Sequence, residues 1–81
     1  DSPAIQDSMG YVLYRQGRIA EARSWLEQAF AGLPDPEVAA HLAEVWQAAG
    51  ERERARDLAL AALVAHPDSE PARRVAERLL R

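Results

Sequence analysis

The chain has 81 residues, a formal net charge of −3 and an apolar fraction of 48%. This composition fits one folded domain or a fragment of a longer array, argues against disorder, and argues against nucleic acid as the main partner. The absence of cysteine excludes disulfides, thiol chemistry and cysteine-based zinc sites, and no apolar run approaches the roughly 20 residues that cross a bilayer, so this segment is not expected to insert into a membrane.

Ser2-Pro3 predicts a helix start, with Ser2 as N-cap and Pro3 at the first helical position. Ile5, Met9, Val12 and Leu13 follow at helical spacing, and Gly17 is placed to end the helix in the left-handed region. A second helix is expected from about Ile19 to Ala31, with Ala22, Trp25, Leu26, Ala29 and Phe30 on one face, ended by Gly32-Leu33-Pro34. Asp35-Pro36 repeats the opening signal. The third helix carries Val38, Leu42, Val45 and Trp46 and stops at Gly50. The fourth carries Ala55, Leu58, Ala59, Ala62 and Leu63 and stops before Pro67. Asp68 is expected to open a fifth, with Pro71 in its first turn and Val75, Ala76 and Leu79 as its apolar side. Loops of a few residues require successive helices to lie antiparallel, and nothing alternates with the period of a strand.

These elements repeat every 33 residues. Pro3 returns as Pro36, Val12 as Val45, Gly17 as Gly50, Ala22-Arg23 as Ala55-Arg56, Ala29 as Ala62, and Pro34-Asp35 as Pro67-Asp68. A third, partial copy carries Glu37, Ala39, Ala43 and Glu44 forward as Glu70, Ala72, Ala76 and Glu77. A period of this length signals stacked helical units that share their cores. The units are 3–35, 36–68 and a capping helix over 69–81, which together predict an all-α, right-handed αα solenoid. Gly10, Ala43 and Ala76 are expected where helices approach most closely. Leu13 and Trp46 are expected to fill the space between, Trp46 as a principal core residue.

The first unit reads Gln6, Met9-Gly10, Leu13, then Ala22, Leu26, Ala29 and Pro34. The second reads Ala39, Leu42-Ala43, Trp46, then Ala55, Ala59, Ala62 and Pro67. This resembles the tetratricopeptide repeat (TPR), with Gln6 and Ala39 standing where the family pattern begins on a large aromatic. The segments Asp7–Arg15 and Pro34–Leu42 are similar to the carboxy-terminal end of long bacterial TPR proteins, including outer-membrane lipoproteins that act as periplasmic adaptors for processing proteases. That resemblance implies a tail of a longer solenoid, on the periplasmic side of the outer membrane if the lipoprotein likeness holds. A chain rich in Ala, with Arg as its sole strong cation and no Asn or Thr, agrees with a GC-rich bacterial source. Composition by itself leaves bacterial cytoplasm and periplasm equally open.

No pattern of catalytic chemistry stands out. His41 lies between Glu37 and Glu44 on one helix, where a charged pair or a solvated face is expected, and His66 sits at a helix end, where a cation suits the dipole. Neither has metal-ligand spacing, no serine has a nucleophile-elbow context, and the glycines punctuate helices instead of forming a phosphate loop. No cofactor, metal or catalytic residue is expected. The resemblance implies that the first helices line a concave face, and projection from the core places Asp7, Tyr11, Tyr14, Arg15, Ala40, Glu44, Gln47, Arg73 and Glu77 on it. The expected function is non-catalytic binding of a protein or peptide there, with Tyr11 and Tyr14 as anchors. The Lys and Asn residues with which some TPR co-chaperones clamp a terminal carboxylate are missing. The alternative is a structural or self-association module: Ile5 and Val12 point away from the core seam expected at Met9 and Leu13, so weak homodimerisation through the amino-terminal end is expected. Arg74, Arg78 and Arg81 are expected to give the last helix a polar outer face.

Overall fold

The computed structural model describes residues 2–81. Five helices follow one another: α1 (Pro3–Arg15), α2 (Ile19–Gly32), α3 (Pro36–Ala48), α4 (Arg52–Ala65) and α5 (Glu70–Leu79). No strand occurs among the described residues. The chain is an all-α helical-repeat solenoid.

Local chemistry sets the helix starts. Ser2 Oγ accepts from the Ala4 amide at 3.2 Å and Asp35 Oδ1 from the Val38 amide at 2.9 Å, each with proline in the first turn. The fifth helix begins at Glu70, within the expected 69–81. Ser69, not Asp68, is its N-cap and accepts from the Ala72 amide at 3.2 Å. Both Gly17 and Gly50 take positive φ, 81° and 89°. The turns after α1 and α3 then close alike: Arg18 N–H reaches Leu13 O and Gly17 N–H reaches Tyr14 O, as Glu51 reaches Trp46 and Gly50 reaches Gln47. This is the double bond pattern that satisfies the last carbonyls of a helix, and only glycine enters it without steric penalty.

Antiparallel pairing of α1 with α2 and of α3 with α4 supplies most of the packing. Helix α3 is central and touches all four others. One cluster joins the pairs through Leu13, Ala22, Leu26, Leu42 and Val45. A second seats α5 on the next pair through Ala40, Ala43, Ala55, Ala59, Val75, Ala76 and Leu79. Small residues sit at the closest approaches, as the sequence required. Ala43 and Ala76 are buried, and a Cβ on Gly10 would lie 2.6 Å from Leu26 Cγ.

Two core expectations are corrected. Met9 is exposed, because among the described residues no helix packs on the side of α1 that it shares with Ile5 and Val12. Trp46 is half-buried: it covers both clusters from the side and leaves one edge open beside Arg54.

Candidate functional site

Helices α1, α3 and α5 lie side by side, and their neighbouring faces bring together side chains far apart in sequence. On α1, Asp7, Tyr11 and Tyr14 fall at successive turns of one face and are half-buried. On α3, Glu37, His41 and Glu44 also fall at successive turns of one face, His41 and Glu44 half-buried and Glu37 exposed. The Tyr11 ring stacks on the His41 imidazole with centroids 4.1 Å apart, and it meets Tyr14 at 5.7 Å. His41 Nδ1 lies 2.8 Å from Asp7 Oδ1. A carboxylate only accepts, so the imidazole carries a proton on Nδ1 and donates it. The aromatic stack is thus held from behind by a hydrogen bond between two helices.

From the other side, α5 contributes Pro71, Arg74 and Arg78. Together with Tyr11, His41 and Glu44 they line a shallow pocket at the junction of the three helices. Arg78 Nη2 approaches Glu44 Oε2 at 3.7 Å. Burial raises the Tyr14 phenol above its ordinary value; the Glu44 carboxylate adds to this while Arg78 opposes it. Tyr14 therefore stays a neutral hydroxyl at physiological pH. The pocket is lined by two cations, Arg74 and Arg78, two carboxylates, Glu37 and Glu44, and the rings of Tyr11 and His41. Such a surface suits a partner with both apolar and charged groups.

The structure brings Asp7, Tyr11, Tyr14 and Glu44 together. Arg15 and Gln47 are exposed one turn further along, near the carboxyl ends of α1 and α3. Arg73 and Glu77 do not reach the strip. Arg73 pairs with Glu70, and both lie with Glu77 on the exposed outer side of α5. The reason is rotational. Burial of Ala72, Val75, Ala76 and Leu79 turns Arg74 and Arg78 toward α3, so these two arginines line the strip and Glu70, Arg73 and Glu77 form the polar outer face. The sequence pattern points to a solvated or ion-paired His41 and does not place it in the strip. Its spacing from Glu37 and Glu44 was a usable signal, since all three share one side of α3.

A separate polar cluster occupies the side where α2 and α4 flank α3. Trp46 Nε1–H donates to Glu27 Oε2 at 2.9 Å, Arg23 Nε donates to the same oxygen at 2.9 Å, and Arg54 lies 4.1 Å over the indole. Burial alone would raise the Glu27 carboxyl. The Trp46 and Arg23 hydrogen bonds outweigh it and hold the group below the usual carboxylate range. Arg23 also reaches Glu51, which bonds Arg54. Among the described residues no group of three or more His, Cys, Asp or Glu side chains could hold a metal ion.

Two tetratricopeptide-repeat profiles match the chain, over residues 4–32 and 36–63. The chain belongs to the tetratricopeptide repeat family. A TPR repeat-containing protein of Pseudomonas aeruginosa is similar, 59% identical over 44 residues that cover 54% of this chain. The chain spans only 8% of the length of that relative. TPR arrays generally serve protein–protein interaction through the extended concave surface that stacked repeats create. No helix among the described residues is long and apolar enough to cross a membrane.

Proposed function

We propose that this TPR segment is a non-catalytic module that binds a protein or peptide along the strip shared by α1, α3 and α5, as part of a larger scaffold. The observation that carries this reading is the Tyr11–His41 stack fixed by Asp7. It presents a flat, preorganised aromatic surface whose ordering cost falls on folding and not on association. Arg74 and Glu44 on either side can set the charge register of a bound segment, and Arg15 and Gln47 extend the same side toward the helix ends. Titration of the isotopically labelled chain with a library of extended peptides of varied charge tests the reading. Saturable shifts centred on Tyr11, His41, Glu44 and Arg74 are expected. Shifts confined to other surfaces, or none across the library, would sink it.

A second reading, a structural or self-association module within a longer solenoid, is favoured by one observation: the exposed apolar side of α1 formed by Ile5, Met9 and Val12.

A further inference from the structure

The two helix pairs differ where the start of the first helix meets the end of the second. In the first pair side chains close this space. The Gln6 amide donates to Gln28 Oε1 at 3.4 Å, and the Pro3 ring lies so near Gly32 that a Cβ there would stand 2.8 Å from Pro3 Cγ. At the same positions of the second pair the side chains shrink: Gln6 is replaced by Ala39, Gln28 by Ala61 and Trp25 by Leu58. An apolar cavity of about 150 Å³ opens there, between the α2–α3 loop, α3 and α4. Buried Ala39 and Ala62 form its floor, with Phe30 and Leu58 packed against them. Pro34, Ala61 and His66, all exposed, stand around its mouth.

We propose that this cavity receives one aromatic side chain, of phenylalanine or tyrosine size, from a partner protein. Apolar cavities of about this volume take up benzene-sized ligands. The repeat pattern sets a large aromatic three residues before Leu42, where this chain has Ala39. The ring missing from the second repeat is thus the ring for which its cavity has room.

The lining selects the occupant. Phe30 offers a ring for edge-to-face contact, and the Asp35 carboxylate lies on the rim, where it complements the positive edge of an inserted ring. Asp35 Oδ1 already accepts from the Val38 amide, which holds the carboxylate in place. A charged side chain would instead set its charge against apolar walls. A second copy of the chain has no free ring to insert: Tyr11, Tyr14, Trp25, Phe30 and Trp46 are all half-buried, Phe30 in the wall of the cavity itself. The cavity shares no lining residue with the pocket of the α1–α3–α5 strip, so either assignment can fail alone.

The test titrates the isotopically labelled 81-residue chain with N-acetyl-phenylalaninamide, N-acetyl-leucinamide and N-acetyl-alaninamide. Saturable shifts are expected at the methyl groups of Ala39, Leu58 and Ala62. The phenylalanine derivative should bind about tenfold or more tighter than the alanine one, the ratio that burial of a ring supplies. Ala39→Phe provides the ring within the chain, so it should raise the Tm and abolish these shifts. Ala61→Gln restores the side chain of the first pair at an exposed position, and it should remove most of the shifts with helicity unchanged. The absence of saturable shifts at the cavity, shifts that survive Ala61→Gln, or equal binding of the leucine and phenylalanine derivatives overturns the proposal. Shifts centred on Tyr11 and His41 instead would move the ring to the strip and overturn it as well.

Discussion

The Trp46 indole donates its Nε1–H to Glu27 Oε2 across the contact between the two helix pairs, at 2.9 Å. This bond joins a residue of the second pair to one of the first, beside a core seam of aliphatic side chains. The indole also covers parts of both core clusters. Trp46→Ala should therefore destabilise by about 3 kcal/mol, the lower end for a large aromatic because one edge already sees solvent. Trp46→Phe keeps most of the cover and loses the donor, at a cost of about 1 kcal/mol. Chemical denaturation of the two variants checks this; equal losses would mean that the hydrogen bond, not the packing, dominates.

Acid should unfold the protein partly through Glu27. Its carboxyl is held below the usual range in the folded state, by Trp46 and Arg23 against the opposing effect of burial. A depressed folded value means that the unfolded chain binds this proton more readily. The contribution is present above the unfolded value, about 4.3 for a glutamate, and is lost as pH falls from there through the folded value. Glu27→Gln should flatten the stability profile in that window and lower stability at neutral pH. An unaltered slope between the wild type and Glu27→Gln would refute the assignment.

Gly10 and Leu26 should be energetically coupled. A Cβ at Gly10 would stand 2.6 Å from Leu26 Cγ, and Leu26 is fully buried with no room to retreat. Gly10→Ala should cost about 1–3 kcal/mol through overpacking. Leu26→Ala alone should cost about 2–5 kcal/mol through its cavity. The double variant should lose less than the sum, since the new methyl enters the space that Leu26 vacates. Strict additivity in thermal or denaturant unfolding would show that the two helices do not meet there.

Helix ends, pairing and the small residues at close contacts were legible in the sequence because their causes are local or periodic. Gly17 and Gly50 end helices by backbone conformation alone, and Gly10, Ala43 and Ala76 recur at one repeat spacing. The candidate site was only half legible. Asp7, Tyr11, Tyr14 and Glu44 followed from projection away from the core. His41 did not, because its place is fixed by Asp7 and Tyr11 on another helix. Arg74 and Arg78 were assigned to the outer face, since the short α5 fixes its rotation through the seat of Val75, Ala76 and Leu79 on α3 and α4. Met9 and Val12 show the converse limit. Their repeat counterparts are core residues, and what lies against α1 decides their burial.

The Asp7–His41–Tyr11 arrangement yields the last prediction. His41 and Asp7 side chains are only 18% and 15% exposed, so their hydrogen bond is shielded from bulk water and orients the imidazole under the Tyr11 ring. Removing one partner leaves the other half-buried and unsatisfied, whereas removing both leaves neither. Asp7→Ala and His41→Ala should thus each destabilise by about 1–2 kcal/mol, and the double variant by less than their sum. Tyr11→Ala should behave differently. Its ring lies on the strip and outside both core clusters, so helical content should persist while binding of a strip-directed peptide weakens. Circular dichroism and peptide titration on the same samples separate the two effects. A large helicity loss in Tyr11→Ala would make the ring a structural support for α1 against α3. Retained helicity with lost binding would identify it as the anchor, and Asp7→Ala should then weaken binding indirectly by freeing the His41 ring on which Tyr11 rests.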